Sequence, residues 1–119
     1  MEINLYQREA FKTANKSLSD RDMLANGVIG LAGESGEIAE IVKKHLYQGH
    51  DFDKNSIKKE IGDVMWYVAL ICTSVGVDLG EILDANIAKL RERYGEKFES
   101  EKSIHRIEKA NFAKNENKS

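Results

Sequence analysis

Two pairs of acidic residues, each spaced three apart, are the side chains of this 119-residue sequence best suited to chemistry. The first pair is Glu34 and Glu37, and the second is Glu60 and Asp63. On a helix, residues three apart share a face, with Cβ atoms about 5–6 Å apart. If the two helices pack side by side, four carboxylates converge, and charges 4 Å apart repel by roughly 4 kcal/mol at a dielectric near 20. The cluster therefore requires protonation, cationic partners or a divalent metal, and oxygen ligands favour Mg²⁺, with Mn²⁺ as a substitute.

An all-carboxylate metal site beside cations is typical of phosphoryl chemistry. A divalent metal neutralises phosphate charge and lowers the pKa of a bound water, and a carboxylate orients or deprotonates that water. Lysine and arginine then stabilise charge on the phosphate oxygens. Asn86, Lys89 and Arg93 lie on one line of a predicted helix, and Lys44 shares a face with Glu37. For Asn86, Lys89 and Arg93, an ordinary solvated helix face is the alternative interpretation; for Lys44, the alternative is that it simply balances the charge of the acidic patch.

Several other kinds of site find no support in the sequence. It contains no P-loop pattern and no Gly-x-Ser-x-Gly elbow. Neither acidic pair is followed by histidine at the spacing that a di-iron bundle requires. The single cysteine, Cys72, lies in an apolar segment and is expected to be a buried structural thiol.

Composition favours one soluble globular domain. The chain is 41% hydrophobic and 32% charged, and its net charge of −2 gives no basic character to suggest nucleic-acid binding. The longest apolar run is too short to span a membrane, and the amino terminus does not resemble a signal peptide. We therefore expect a cytoplasmic protein that binds neither nucleic acid nor membrane.

The hydrophobic pattern predicts an all-α fold, since proline is absent and apolar residues do not alternate with polar ones. We predict helices over residues 5–17, 21–47, 54–75 and 79–94, with Asn4 capping the first and Asp53 or Asn55 capping the third. Each of the last three helices has a predicted core stripe: Leu24, Val28, Leu31, Ile38, Ala39, Ile41, Val42 and Leu46; then Ile57, Ile61, Val64, Val68, Ile71 and Val75; then Leu79, Leu83, Ile87, Leu90 and Tyr94.

Four glycines, at positions 27, 30, 33 and 36, lie in the predicted second helix. Each costs about 1 kcal/mol relative to alanine in a helix interior, so each needs a reason. Close helix packing and room for a ligand are both sufficient reasons. Tyr67 continues the acidic face of the third helix, whereas Trp66 lies further round, where a core or interface role is favoured over ligand binding.

Three segments, 31–37, 59–67 and 86–94, together resemble the MazG-type nucleotide pyrophosphohydrolases in the order and spacing of their Glu-x-x-Glu and Glu-x-x-Asp motifs. The resemblance covers about residues 4–98. It implies an all-α, four-helix MazG-like bundle completed by homo-oligomerisation, as a dimer or tetramer. We therefore expect a catalytic domain over residues 1–98 and a weakly structured polar tail over residues 99–119. A glycine, Gly95, stands where related sequences often carry proline, which leaves the path of the tail open.

The resemblance also implies a reaction. Such proteins hydrolyse nucleoside triphosphates, with Mg²⁺, to a nucleoside monophosphate and pyrophosphate. By motif position, the resemblance implies four residues that are both metal ligands and catalytic groups: Glu34, Glu37, Glu60 and Asp63. It implies five substrate-binding residues: Lys44, Tyr67, Asn86, Lys89 and Arg93. Non-standard or surplus deoxynucleotides are the expected substrates. The alternatives are phosphoribosyl-ATP as substrate, or a non-catalytic helical module that binds metal or nucleotide.

Overall fold

The described part of the chain is all helical, as predicted. A computed structural model describes residues 1–95 and residue 104, and within them it contains four long helices and no strand: α1 (Ile3–Phe11), α2 (Asp20–Tyr47), α3 (Lys54–Val75) and α4 (Leu79–Tyr94). The chain divides into two compact units, residues 1–80 and residues from Glu81 onward. The first unit holds α1, α2, α3 and the first two residues of α4. The predicted tail, 99–119, lies outside the described residues except for Ile104.

The ends of the helices follow local capping chemistry. The hydroxyl of Ser19 accepts a hydrogen bond from the Asp22 amide at 3.1 Å, and the Asp53 carboxylate accepts one from the Ser56 amide at 3.0 Å. Gly76 ends α3 with φ +76°, a left-handed conformation that glycine adopts without strain. The predicted bounds of α3 and α4 are confirmed, and α2 begins one residue earlier than predicted.

The prediction for the first helix was wrong at both ends. The carboxylate of Glu2, rather than Asn4, accepts hydrogen bonds from the amides of Asn4 and Leu5 at 2.8 and 2.9 Å. A carboxylate with two oxygens satisfies two of the free amides of the first turn, so the helix starts at Ile3. It ends at Phe11, before the predicted end at residue 17.

Helix α1 is fastened to the start of α4 by two amide side chains. Gln7 is buried; its Nε2 donates to the Val77 carbonyl at 2.9 Å, and its Oε1 accepts from the Leu79 amide at 2.7 Å. The Asn4 side chain accepts from the Gly80 amide at 2.8 Å. The free amides at the start of α4 are therefore satisfied by a helix more than 70 residues away in sequence.

Helices α2 and α3 pack against each other in opposite directions. A Cβ placed on Gly27 would lie 2.8 Å from the Ile71 side chain, and one placed on Gly30 would overlap the Tyr67 ring. Because the later residue on α2 meets the earlier residue on α3, the pair is antiparallel. This direction brings the first acidic pair toward the second.

The core is smaller than the sequence predicts. Its buried apolar residues are small or medium in size: Ala10, Met23, Ala69, Leu70, Cys72 and Leu79. Cys72 is buried as predicted. Nine residues of the predicted core stripes are instead exposed: Val28, Ala39, Val42, Leu46, Ile61, Val75, Leu83, Ile87 and Leu90. A helix buries only the face that its neighbours cover, and the apolar stripes of this chain extend beyond that face.

Among the described residues, no helix combines the length and the apolar character needed to cross a membrane.

Candidate metal centre

Three of the four predicted acidic residues converge between α2 and α3. Glu34, Glu60 and Asp63 each offer a carboxylate oxygen, and these three atoms lie within 4.8 Å of one another. The convergence follows from the antiparallel packing, which places the end of the glycine-rich segment of α2 beside the first half of α3. We call these three residues the acidic cluster.

Glu37, the fourth acidic residue, is exposed and does not join this group of ligand atoms. It nevertheless lies near enough for its charge to raise the pKa of Glu34. Its predicted role as a metal ligand stays a prediction.

The cluster is electrostatically strained without a cation. A hydrogen bond between the Glu34 and Glu60 carboxyl groups, followed by partial burial and the charges of Glu60, Asp63 and Glu37, raises the pKa of Glu34 to about 7. Burial, together with the charge of Asp63, also raises the pKa of Tyr6. A proton on Glu34 therefore removes part of the negative charge of the acidic cluster near neutral pH.

One oxygen of the cluster has no partner among the described residues. The Oε2 atom of Glu60 is buried and makes no hydrogen bond. A buried carboxylate oxygen without a partner is costly, and a divalent cation satisfies it. The donor set contains only oxygen, which suits Mg²⁺ or Mn²⁺ better than a soft metal. The residues present thus fit a hard divalent cation.

The glycines of α2 serve two different purposes. Gly27 and Gly30 allow close contact with α3, since side chains there would meet Ile71 and Tyr67. A Cβ at Gly33 or Gly36 would meet nothing within 4 Å. Close packing therefore explains the first two glycines, while open space lies beside the two that flank Glu34.

A cavity of about 330 Å³ opens beside the acidic cluster. It is lined by Glu34, Asp63, Trp66 and Tyr67. Tyr67 was predicted to contact substrate, and its position in this lining is consistent with that role. Trp66 was not predicted to contact substrate, because its position on the helix favoured a role in the core or at an interface. The available signal was its spacing, three residues after Asp63, which puts the two side chains on one face of α3.

The predicted phosphate-binding residues lie on other parts of α2 and α4. Lys44 is exposed ten residues after Glu34, about 15 Å further along α2. Asn86, Lys89 and Arg93 all belong to α4 within the second unit; the first two are exposed and Arg93 is half-buried. Their helical spacing keeps them on one side of α4, and their part in substrate binding stays a prediction.

Comparisons with known proteins indicate the family to which the chain is related. The profile of the MazG nucleotide pyrophosphohydrolase domain matches residues 26–98, more than half of the chain, and this stretch contains every predicted site residue. The chain is also 36% identical over 101 residues to the Gene 37 protein of Mycobacterium phage L5, covering 78% of this chain and 89% of that protein. No solved structure gives a significant match.

Proposed function

Because the chain belongs to the family of proteins with a MazG nucleotide pyrophosphohydrolase domain, we propose that it hydrolyses nucleoside triphosphates to monophosphate and pyrophosphate in a Mg²⁺-dependent reaction. Non-standard or surplus deoxynucleoside triphosphates are the proposed substrates. The cytoplasm is the proposed place of action. The observation that carries this proposal is the convergence of Glu34, Glu60 and Asp63, together with the buried Glu60 Oε2 atom that has no hydrogen-bond partner among the described residues.

The acidic cluster is the proposed metal site, with Glu37 as a further ligand once the ion and substrate are bound. When bound, Mg²⁺ supplies charge neutralisation of the phosphates and activation of water. Mn²⁺ has the same preference for oxygen and is the expected substitute. The raised pKa of Glu34 means that this residue gives up a proton when the ion binds near neutral pH.

Residues of the chain are proposed to activate the water and to bind the phosphates and the nucleotide. A carboxylate of the acidic cluster orients the attacking water and takes its proton. The water oxygen bonds to the α-phosphorus as the bond from that phosphorus to the α–β bridging oxygen breaks, and pyrophosphate leaves with the bridging oxygen. Lys89 and Arg93, with Asn86, are the proposed partners of the negative charge on the phosphates, with Lys44 as an additional cation. Tyr67 contacts the nucleotide from the wall of the cavity.

Self-association is part of the proposal. Several apolar side chains of the first unit are half or more exposed, including Val28, Ile29, Ile61 and Val75. Apolar surface of this kind is covered in stable assemblies, and a chain of this size gains burial by pairing with a copy of itself. A homodimer or homotetramer is therefore the proposed working form, and sedimentation or light scattering of the purified protein tests it.

The direct test of the reaction is product analysis with a panel of standard and modified nucleoside triphosphates. Equal amounts of monophosphate and pyrophosphate with Mg²⁺, and neither product with EDTA, are the expected result. Release of inorganic phosphate and a diphosphate would contradict cleavage between the α and β phosphates. If no triphosphate is cleaved, phosphoribosyl-ATP is the next substrate to test, and its failure too would favour a non-catalytic binding module.

A further inference from the structure

Trp66 lies in the wall of the cavity that opens beside the acidic cluster, and the proposed reaction gives it no role. The residue lies three positions after Asp63 on α3, so its indole and that carboxylate share a face of the helix. Together with Glu34, Asp63 and Tyr67 it lines a volume of about 330 Å³. This volume is at the lower end of the range of about 300–1,000 Å³ found for small-molecule sites.

The orientation of the indole is fixed from the side of α1. Its Nε1 donates to the Thr13 hydroxyl oxygen at 2.8 Å, and that hydroxyl donates its own proton to the Ala10 carbonyl at 2.7 Å. The hydroxyl thus has its single proton committed, and it accepts from the indole with its free lone pairs. Phe11 lies beside Trp66 around a second, smaller space between α1 and α3.

The second aromatic wall is equally constrained. The rings of Trp66 and Tyr67 meet edge to face, with centroids 5.0 Å apart and planes at 88°. Tyr67 is in turn held against the backbone of Gly30, where no side chain fits. Two rings at right angles therefore form a rigid corner, and the acidic cluster lies beside it. A ligand that fits both features has an aromatic ring at one end and metal-binding oxygen atoms at the other.

We propose that Trp66 is the nucleobase-binding residue of this site, and that the base stacks against its indole while the phosphates lie over the acidic cluster. The inference rests on the proposed function, because it takes a nucleoside triphosphate as the ligand. Every base has an aromatic face, so this contact tolerates different bases and contributes to affinity for nucleotides over phosphates alone. Thr13 is a positioning residue that holds the indole in place.

The protein supplies its own probe, since Trp66 is its single tryptophan. Two ligands are titrated with Mg²⁺ while the indole fluorescence is measured: an α,β-methylene nucleoside triphosphate, in which the bond to be cleaved is blocked, and inorganic tripolyphosphate. The expected result is a saturable change with the nucleotide analogue and a much smaller one with tripolyphosphate. No change with the nucleotide analogue, or equal changes with both ligands, overturns the proposal.

Two variants extend the test to affinity and turnover. Trp66→Leu is expected to weaken binding of the nucleotide analogue roughly 5- to 100-fold, as for loss of a base-stacking contact, and to leave tripolyphosphate binding within about twofold. It raises KM more than it lowers kcat. Thr13→Val removes the hydroxyl and is expected to give a smaller change in the same direction. Phe52→Leu, which removes an exposed ring beside His45, is the matched control.

Failure of this inference is distinguishable from failure of the proposed function. Suppose that the wild-type enzyme is active and that Trp66→Leu loses affinity for the nucleotide analogue and for tripolyphosphate equally. Trp66 then only supports the fold, and this inference fails while the proposed function stands. If Trp66→Leu does not fold, the wild-type titration and Thr13→Val still decide the matter. If the wild-type protein releases no pyrophosphate but shows the nucleotide-specific fluorescence change, the inference about the base site stands and the proposed hydrolase function fails.

Discussion

The two ends of the contact between α2 and α3 use the same kind of residue for opposite purposes. At one end, which we call the tight end, Gly27 and Gly30 bring the helices so close that Ile71 and Tyr67 occupy the space of a side chain. At the other, the acidic end, Gly33 and Gly36 face open space and flank Glu34 of the acidic cluster. One end gains stability from close packing, while the other leaves mutually repelling carboxylates together, an arrangement that the proposed metal site would explain.

The comparison teaches that the tight end positions the acidic end. Glu34 follows Gly30 by four residues, one turn of helix, and Tyr67 follows Asp63 by the same interval. The contact between Gly30 and Tyr67 therefore sets the separation of the carboxylates one turn away. Close contact where the backbones meet and open space beside the proposed ligand site are two consequences of one helix pairing.

The largest expected effect comes from removing a carboxylate of the acidic end. Asp63→Ala is expected to lower Mg²⁺-dependent turnover at least about 100-fold, since loss even of an outer-shell partner of a metal ligand costs 10- to 100-fold. The fold survives, because the substitution removes like-charge repulsion. Pyrophosphate release and thermal unfolding measure the two effects.

The matched control for Asp63→Ala is Glu40→Ala, which removes a carboxylate of α2 that is paired instead with Lys43 at 3.1 Å. Its turnover should stay near that of wild type. Full activity in Asp63→Ala would remove the acidic cluster from the chemistry.

The cations of α4 are expected to act on catalysis rather than on the metal. Arg93→Ala and Lys89→Ala should each reduce kcat/KM by about tenfold or more, because each loses a charge-assisted contact worth about 1.5–3 kcal/mol. Mg²⁺ affinity, measured without nucleotide, should not change. Unchanged kinetics would instead make this a solvated face of the helix.

Glycine substitutions separate the two ends directly. Gly30→Ala is expected to destabilise the protein by about 1–3 kcal/mol, because its methyl group meets the Tyr67 ring. Gly33→Ala meets nothing and should stabilise the metal-free protein by up to about 1 kcal/mol, the helix propensity difference. Urea unfolding in EDTA measures both. Equal effects of the two substitutions would erase the distinction between the ends.

The smallest effect is a dependence of stability on pH at the acidic end. The pKa of Glu34 is about 7 in the folded protein, against an ordinary value of 4.5, so folding favours its protonated form. The stabilisation is complete below about pH 4.5 and is lost as the pH rises through about 7. Metal-free protein should therefore lose stability over this window.

Urea unfolding in EDTA at a series of pH values measures this loss. Glu34→Gln should flatten the dependence, and Glu40→Gln should leave it unchanged. A wild-type curve that rises across the same window would contradict the raised pKa of Glu34.

Much of the architecture could be predicted because its determinants are local. The caps at Asp53 and Gly76 and the spacing of the acidic residues are visible in a few consecutive residues. The first helix was misplaced because Glu2, outside the apolar pattern, supplies the cap. The core stripes were overestimated because periodicity shows which face of a helix is apolar and not how much of that face a neighbour covers.

The acidic residues of the candidate site and Tyr67 could be proposed from the sequence, whereas Trp66 could not. The Glu-x-x-Glu and Glu-x-x-Asp spacings place the two carboxylates of each pair on one face of their helix, whatever the details of packing. The exclusion of Glu37 from the group of ligand atoms depends on the relative rotation of α2 and α3, which no local pattern encodes. The place of Trp66 in the cavity wall depends on its hydrogen bond to Thr13, 53 residues away in sequence.

The central claim is that Glu34, Glu60 and Asp63 hold the divalent ion on which nucleotide hydrolysis depends. The most direct test is a crystal structure with Mn²⁺ and an α,β-methylene nucleoside triphosphate, with the metal located by its anomalous signal. We predict a peak within coordination distance of an oxygen from each of the three carboxylates and of the phosphates. A metal bound elsewhere, or phosphates bound away from these carboxylates, would contradict the claim.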